Sequence, residues 1–366
     1  MGKIDGNLNL GNRERMIRTC LNMDIDRLPF WHWFGPWGET IERWRHEGLG
    51  EKNWDHGFGF DAGFGALPVD LGLLPKYEWK VLSDDGDKRT IRDERGISFI
   101  EIKNHSTIPY YIDYPVKNRA DWKALKEERF NPDTPGRFPP NWLDTIKLLK
   151  EKDAAIQIGG YPHGLFGTLR DLIGVEDLLV MFYDDPELIR DMTDYLTGFW
   201  ISLYEKALHS VQIDHIHIWE DMSGKQGPLI SPSMYREYIT PNYKRIAAFA
   251  KKNGIPLVSV DTDGNMDVLM PLLKEAGVNL ALPFEVQAGC DVNVYKTRYP
   301  DIGIIGGIDK RKIALGREET DRELARLAPM FEASGYIPML DHLPHPEISY
   351  GDFCYFIESL RKRIFR

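Results

Sequence analysis

Several short apolar runs in this chain stop at residues able to do chemistry. The stops are Gly159-Gly160-Tyr161-Pro162-His163, Glu220-Asp221, Asp261-Thr262-Asp263-Gly264, Pro283-Phe284-Glu285, Gly306-Gly307-Ile308-Asp309-Lys310-Arg311 and Asp341-His342. Carboxylates and an imidazole can move protons or hold a divalent ion through oxygen and nitrogen. Asp261 and Asp263 lie two apart, so both can turn into one mouth if the chain has left β geometry between them. With Glu220, Glu285 and His342 they form a converging acidic set that needs a cation, a retained proton or a basic partner. Lys310 and Arg311 are the basic residues at hand. Asp and Gly also end strands and cap helices routinely, which accounts for any one of these positions but not for five together.

Other candidates carry less. His215 and His217 alternate in Ile-Asp-His-Ile-His-Ile-Trp-Glu and share one side of a strand, either as functional groups or as a packed, hydrogen-bonded pair. His345 sits in a Pro-His-Pro loop. Cys20, Cys290 and Cys354 are scattered, which gives neither a disulfide framework nor a cysteine-only zinc site and fits a reducing compartment. Trp31, Trp33, Trp37, Trp44 and Trp54 crowd into one stretch, as a core layer or as walls for a flat organic ligand. A serine-hydrolase elbow is absent, and so is a G-x-G-x-x-G after a strand.

Positioning such groups requires a scaffold whose strand ends gather on one face. After Trp142 apolar strands alternate with amphipathic helices, which predicts a parallel sheet with right-handed crossovers. Five or six such units, plus segments around Arg27 to Trp31 and Phe58 to Asp61, predict a single α/β domain over 1–366, a (β/α)8 TIM barrel. Its active face lies at the C-terminal strand ends. The region 76–142 reads as an insertion covering one mouth: hairpin runs from Lys76 to Tyr111, then a proline-rich connector from Asn131 to Trp142. Ahead of the barrel runs an N-terminal extension with a helix over Arg13 to Asn22.

The 366 residues are 42% hydrophobic and 28% charged, an ordinary globular composition. A net charge of −10 argues against nucleic acid as a partner. The polar N-terminus lacks a secretory h-region, and no apolar run nears the ~18 residues of a membrane span, so a cytoplasmic protein is expected.

Over almost its full length the chain resembles the uroporphyrinogen decarboxylase superfamily. The resemblance is carried by Arg13-Glu14-Arg15-Met16, then Asp26-Arg27-Leu28-Pro29-Phe30, Gly159-Gly160-Tyr161-Pro162 and Leu229-Ile230-Ser231-Pro232. It continues in Pro283-Phe284-Glu285 with Gly289, Asp291 and Val292, and in Gly306-Gly307-Ile308-Asp309. The resemblance implies a (β/α)8 barrel and two branches of activity, heme-pathway decarboxylases and methyltransferases serving corrinoid proteins. The decarboxylases hold their substrate's carboxylates with an early arginine-rich segment; here that stretch is Trp31-His32-Trp33-Phe34-Gly35-Pro36-Trp37. The methyltransferase branch carries His-x-Cys-Gly and a later cysteine as zinc ligands. Those positions match Asp261-Thr262-Asp263-Gly264 and the neighbourhood of Asp341-His342, so both thiolates are missing.

Two readings follow. Either a metal is kept with harder ligands, or the carboxylates act as acid and base. The leading expectation is a demethylating methyltransferase of the corrinoid-dependent kind, acting on a small O- or N-methyl compound, aromatic ones included. Glu220, Asp261, Asp263 and His342 would hold zinc or another divalent metal; Glu220, Asp261 and Lys310 would be catalytic. Trp31, Trp33, Trp37, Tyr161, His163 and Glu285 would bind the substrate. Cobalamin would come only with a partner corrinoid protein, since nothing here resembles a corrinoid-binding module; a homodimer is a further expectation. The runner-up is a metal-independent decarboxylase or lyase with Lys310 or Arg311 on the substrate carboxylate. A third reading is a ligand-sensing barrel without catalysis.

Overall fold

A computed structural model describes residues 2–103 and 109–365. Its strands are β1 (Phe64–Ala66), β2 (Lys80–Asp84), β3 (Lys88–Arg92), β4 (Ser98–Ile102), β5 (Tyr110–Asp113), β6 (Ala155–Gly159), β7 (His215–Trp219), β8 (Ser223–Gly224), β9 (Gly227–Pro228), β10 (Leu257–Asp261), β11 (Leu280–Leu282), β12 (Gly303–Ile305) and β13 (Tyr336–Ile337). Seven of them form one parallel sheet in the order β1-β6-β7-β10-β11-β12-β13, curled around an interior.

The two faces of this sheet bury different residues. Ala155, Leu257, Leu280, Leu282, Ile305 and Ile337 point inwards and pack with Trp31, Trp33 and Phe64. Met16 and Cys20 join them from the first helix, α1 (Asn12–Cys20). The alternate positions, among them Ile156, Ile158, Ile216, Ile218, Val258 and Val260, join the larger cluster beneath the helices. Burial on both faces is why these strands read as continuous apolar runs.

The expected eighth strand is not formed. Residues around Arg27 to Trp31 carry no strand ladder, and the sheet's ladder does not close between β1 and β13 among the described residues. Pro29 offers no N–H, and the Phe30 N–H donates to the Asp61 carboxylate at 2.9 Å instead of to a neighbouring strand. Arg27 grips the same carboxylate with two bonds of 2.7 and 2.8 Å. The first parallel strand also falls later than Phe58 to Asp61, at Phe64–Ala66.

The hairpin region forms a four-stranded antiparallel sheet, β2-β3-β4-β5. Helix α2 (Gly38–Trp44) precedes β1; after the hairpin sheet the chain runs through α3 (Arg119–Arg129), α4 (Trp142–Glu151), α5 (Leu165–Ile173), α6 (Val175–Asp184) and α7 (Pro186–Leu208). The remaining helices are α8 (Pro232–Met234), α9 (Thr240–Lys252), α10 (Leu269–Glu275), α11 (Val292–Arg298), α12 (Lys310–Ala314), α13 (Arg317–Arg326) and α14 (Tyr350–Ile364). Among the described residues no helix is long and apolar enough to cross a membrane.

Candidate active site

The ends of β10, β11 and β13 lead into loops that carry Asp263, Glu285 and His342 to one place. One ligand atom from each lies within 4.8 Å of the others, and all three residues are partly exposed at the mouth. Local sequence explains why. Gly264 takes φ +81°, and a Cβ there would meet the Ser223 and Gly224 carbonyl oxygens at 2.4 and 2.6 Å. Only glycine therefore lets the Gly264 N–H reach the Glu285 carboxylate, at 2.9 Å. His342 Nε2 stands 3.5 Å from Asp263 Oδ2, and its ring stacks on Phe34 at 5.6 Å between centroids. The other ring nitrogen, Nδ1, is buried without a hydrogen-bond partner among the described residues.

Asp341 holds this corner rigid from behind. Its buried carboxyl accepts from the Val286 N–H at 2.9 Å and the Lys310 N–H at 3.2 Å, tying the loops after β11 and β12 to the one after β13. Burial pushes it up to about 6. Asp309 caps α12 and pairs with Arg311 through bonds of 2.9 and 2.8 Å, so Arg311 is already engaged. No described residue pairs with the Lys310 ammonium.

Asp261 lies one step below the cluster, at the end of β10 and only 8% exposed. Burial, with the charges of Asp263 and Asp221 nearby, holds its carboxyl well above the usual carboxylate range. Its Oδ2 is 3.7 Å from His217 Nε2. His217 Nδ1 and His215 Nε2 both meet the Ser259 hydroxyl, at 2.8 and 2.6 Å. The two histidines thus form a hydrogen-bonded pair through Ser259, with the Trp33 ring 4.5 Å from that of His217. Burial pushes His217 down to about 3, and the imidazole is neutral.

Glu220 does not join the mouth. It is fully buried at the end of β7 and accepts from the Leu165 and Gly167 amides, each at 2.9 Å, and from the Tyr243 hydroxyl. Those amides open α5, whose N-cap position, Gly164, has no side chain to cap with. A Cβ at Gly164 would lie 1.8 Å from the Trp219 carbonyl oxygen, so the close approach of β7 excludes a capping residue and Glu220 supplies the cap from across the gap. Burial pushes its carboxyl up to about 7 against the pull of these donors.

The substrate-binding candidates divide as well. Trp31 and Trp33 pack edge to face at 5.3 Å with Phe64 on the inner side of the curled sheet, while Trp37 is 43% exposed. Trp44 is a core residue and Trp54 a partly buried one, both against Phe353 of α14. His163 is buried between the His217 carbonyl and the Tyr204 hydroxyl, away from the mouth, and burial pushes it down to about 4. Tyr161 is half exposed beneath the inserted sheet, donating to Asp171 at 2.6 Å and accepting from Arg95 at 2.7 Å. Glu285, expected at the substrate, stands instead among the possible metal donors. Phe34, which backs His342, carries no signal in the sequence beyond its place in the aromatic run.

The donor set suits a divalent ion. Two carboxylates and an imidazole, with Nε2 turned to Asp263, match the oxygen and nitrogen ligation of zinc and similar metals.

A family model described as uroporphyrinogen decarboxylase (URO-D) matches residues 95–363. The uroporphyrinogen decarboxylase of Citrifermentans bemidjiense is 27% identical over 243 residues, which is 63% of this chain and 65% of that protein. The chain thus spans just under two thirds of that relative's length. The uroporphyrinogen decarboxylase of Syntrophotalea carbinolica is 26% identical over 154 residues, 40% of this chain and 42% of that one. Among solved structures, a methyltransferase from Methanosarcina mazei shares the fold with a TM-score of 0.60 at 15% identity, covering 98% of this chain and 100% of that one.

Proposed function

This chain belongs to the uroporphyrinogen decarboxylase family, and within it we propose a metal-assisted methyltransferase that demethylates a small O- or N-methyl compound and hands the methyl group to a corrinoid protein. The observation that carries the reading is the convergence of Asp263, Glu285 and His342 at the strand ends. The fold shared with a methyltransferase from Methanosarcina mazei supports it. The missing arginines in the Trp31 to Trp37 stretch support it too, because a substrate rich in carboxylates would find no counter-charges there.

Asp263, Glu285 and His342 would hold the ion, in place of the wider set that included Glu220. Bound there, a divalent metal acts as a Lewis acid that makes the substrate's oxygen or nitrogen a better leaving group. Asp261 stands beneath that position, shielded from water, where its carboxyl can give a proton to the departing heteroatom. Trp33 and Phe34 form the apolar floor and side of the mouth and exclude water from the reacting centre. In the balance, the carbon–heteroatom bond would break with its electron pair left on the heteroatom, which would take the proton from Asp261, and the methyl group would go to the reduced, nucleophilic corrinoid that the partner supplies.

Free reduced cobalamin, mixed with zinc-loaded protein and a panel of methyl ethers and methylamines, tests the reading. The expected result is an absorbance change as cobalamin takes up the methyl group, lost in Asp263→Ala. No change with any member of the panel, nor with corrinoid proteins supplied in place of free cobalamin, would count against it. A decarboxylase of a small acid is the second reading, favoured by the unpaired Lys310 ammonium and by the decarboxylases among the relatives. Carbon dioxide release that is insensitive to chelators and lost in Lys310→Met would establish that reading instead.

A further inference from the structure

Beneath the inserted sheet, beside the mouth, lies a cavity of about 430 Å³. Four aromatic residues line it, Tyr111 from β5, Tyr114 just after it, Tyr161 and Trp219, together with Ile97, Val175 and the carboxylate of Asp171, which Arg95 and the Tyr161 hydroxyl already engage. One end is closed by Arg95, whose guanidinium is spent on Asp93, Asp171 and the Tyr161 hydroxyl. The other end holds Arg170 of α5 and Asp221, which follows β7 and whose charge reaches Asp261.

Arg170 is used on one side only. Its Nη1 donates to the Asp221 carbonyl at 2.9 Å and to the Asp221 carboxylate at 2.5 Å. Its Cζ lies 5.0 Å from the centre of the Trp219 ring, which holds the guanidinium plane in place. Nε and Nη2 have no partner among the described residues, and the side chain is 24% exposed at the cavity wall. That Nε/Nη2 edge is the fork that takes a carboxylate through two parallel bonds. A preset guanidinium edge in an aromatic-walled cavity of this size has the makings of a site for a flat ring bearing one carboxylate.

We propose that this cavity binds an aromatic monocarboxylate, with Arg170 holding the carboxylate and Tyr114, Tyr161 and Trp219 enclosing the ring. The proposal rests on the methyl-transfer reading only in making that acid the methyl donor; the binding itself needs neither metal nor acceptor. It also parts from a substrate rich in carboxylates, because the cavity offers one open guanidinium edge.

Calorimetry on the full chain, stripped of metal and without cobalamin, separates the two. The probes are 4-methoxybenzoate and its uncharged isostere 4-methoxybenzamide. The acid should bind at least about tenfold more tightly than the amide, the worth of a charge-assisted fork. Arg170→Met should bring the acid down to the level of the amide while leaving the amide unchanged, which also shows that the variant is folded. Arg170→Lys keeps the charge without the fork and should fall between. Tyr111→Ala should weaken both probes. Equal binding of acid and amide by the parent, a preference that survives Arg170→Met, or no acid binding up to about 10 mM would each overturn the proposal. Failure of methyl transfer would leave these binding results standing.

Discussion

Glu220 takes the Leu165 and Gly167 amides at the start of α5, and its place in the molecule follows from those bonds and not from its nearness in sequence to Asp221. Its carboxyl, raised to about 7 by burial, has a usual value near 4.5 in the unfolded chain. The folded state therefore holds the proton more tightly. The associated stability is complete below pH 4.5 and is lost as the pH rises through about 7. Glu220→Gln should flatten the fall in stability across that window, read from denaturant midpoints at a series of pH values. Glu220→Ala should cost about 2–3 kcal/mol, since it strands the Tyr243 hydroxyl and two helix amides. The sequence shows Glu220 only as one more carboxylate past a strand. What removes it from the site is Gly164, whose close contact with Trp219 leaves α5 without a cap of its own, and that contact spans residues far apart along the chain. His163 is similar: its position after a strand suggests a site, but the loop turns it inwards onto Tyr204.

At the level of elements, the loops matter more than the strands. The Asp-Thr-Asp-Gly turn after β10 divides its tasks: Asp261 stays buried, Thr262 accepts from the Met222 N–H at 3.0 Å, Asp263 reaches the mouth, and Gly264 anchors Glu285. Gly264→Ala should cost about 1–3 kcal/mol through its positive φ. It should also weaken metal binding, because the added Cβ would meet the Ser223 and Gly224 carbonyl oxygens and push the N–H that anchors Glu285 out of place; a metal titration of the folded variant would show this. The inserted sheet is held to the parallel sheet's strand-end loops by Arg95, from the turn between β3 and β4, through Tyr161 and Asp171. Arg95→Ala should speed amide exchange in β3 and β4 and leave β10 to β12 protected. Parallel strands buried on both faces announce themselves as apolar runs, which is why β6, β7, β10, β11 and β12 were legible from residue types alone. The segment from Arg27 to Trp31 looks no different in sequence, yet Asp61 takes its backbone N–H and no ladder forms. Side-chain competition of that kind is invisible to periodicity.

Across the whole molecule, three strand-end loops separated by up to 79 positions supply one cluster, so the site exists only in the folded chain. Ligation there is then linked to global stability. At a metal concentration of about 100 times the dissociation constant, unfolding should become harder by about 2.7 kcal/mol. Differential scanning calorimetry with and without a chelator would read this as a raised midpoint, and His342→Ala should abolish the difference. The gathering of ionisable groups at the strand ends was visible in the sequence because a parallel sheet places all such ends on one face. Which of them meet was not visible, because it depends on how far each loop travels after its strand: Asp263 and Glu285 clear the sheet, Glu220 and Asp261 do not. The most direct test of the proposed metal site is elemental analysis by mass spectrometry of protein purified without chelators and reloaded with zinc, beside Asp263→Ala, Glu285→Ala and His342→Ala. About one divalent ion per chain, lost in all three variants and kept in Glu220→Gln, is the expected result. No bound metal in the reloaded parent, or metal retained by the three variants, would contradict it.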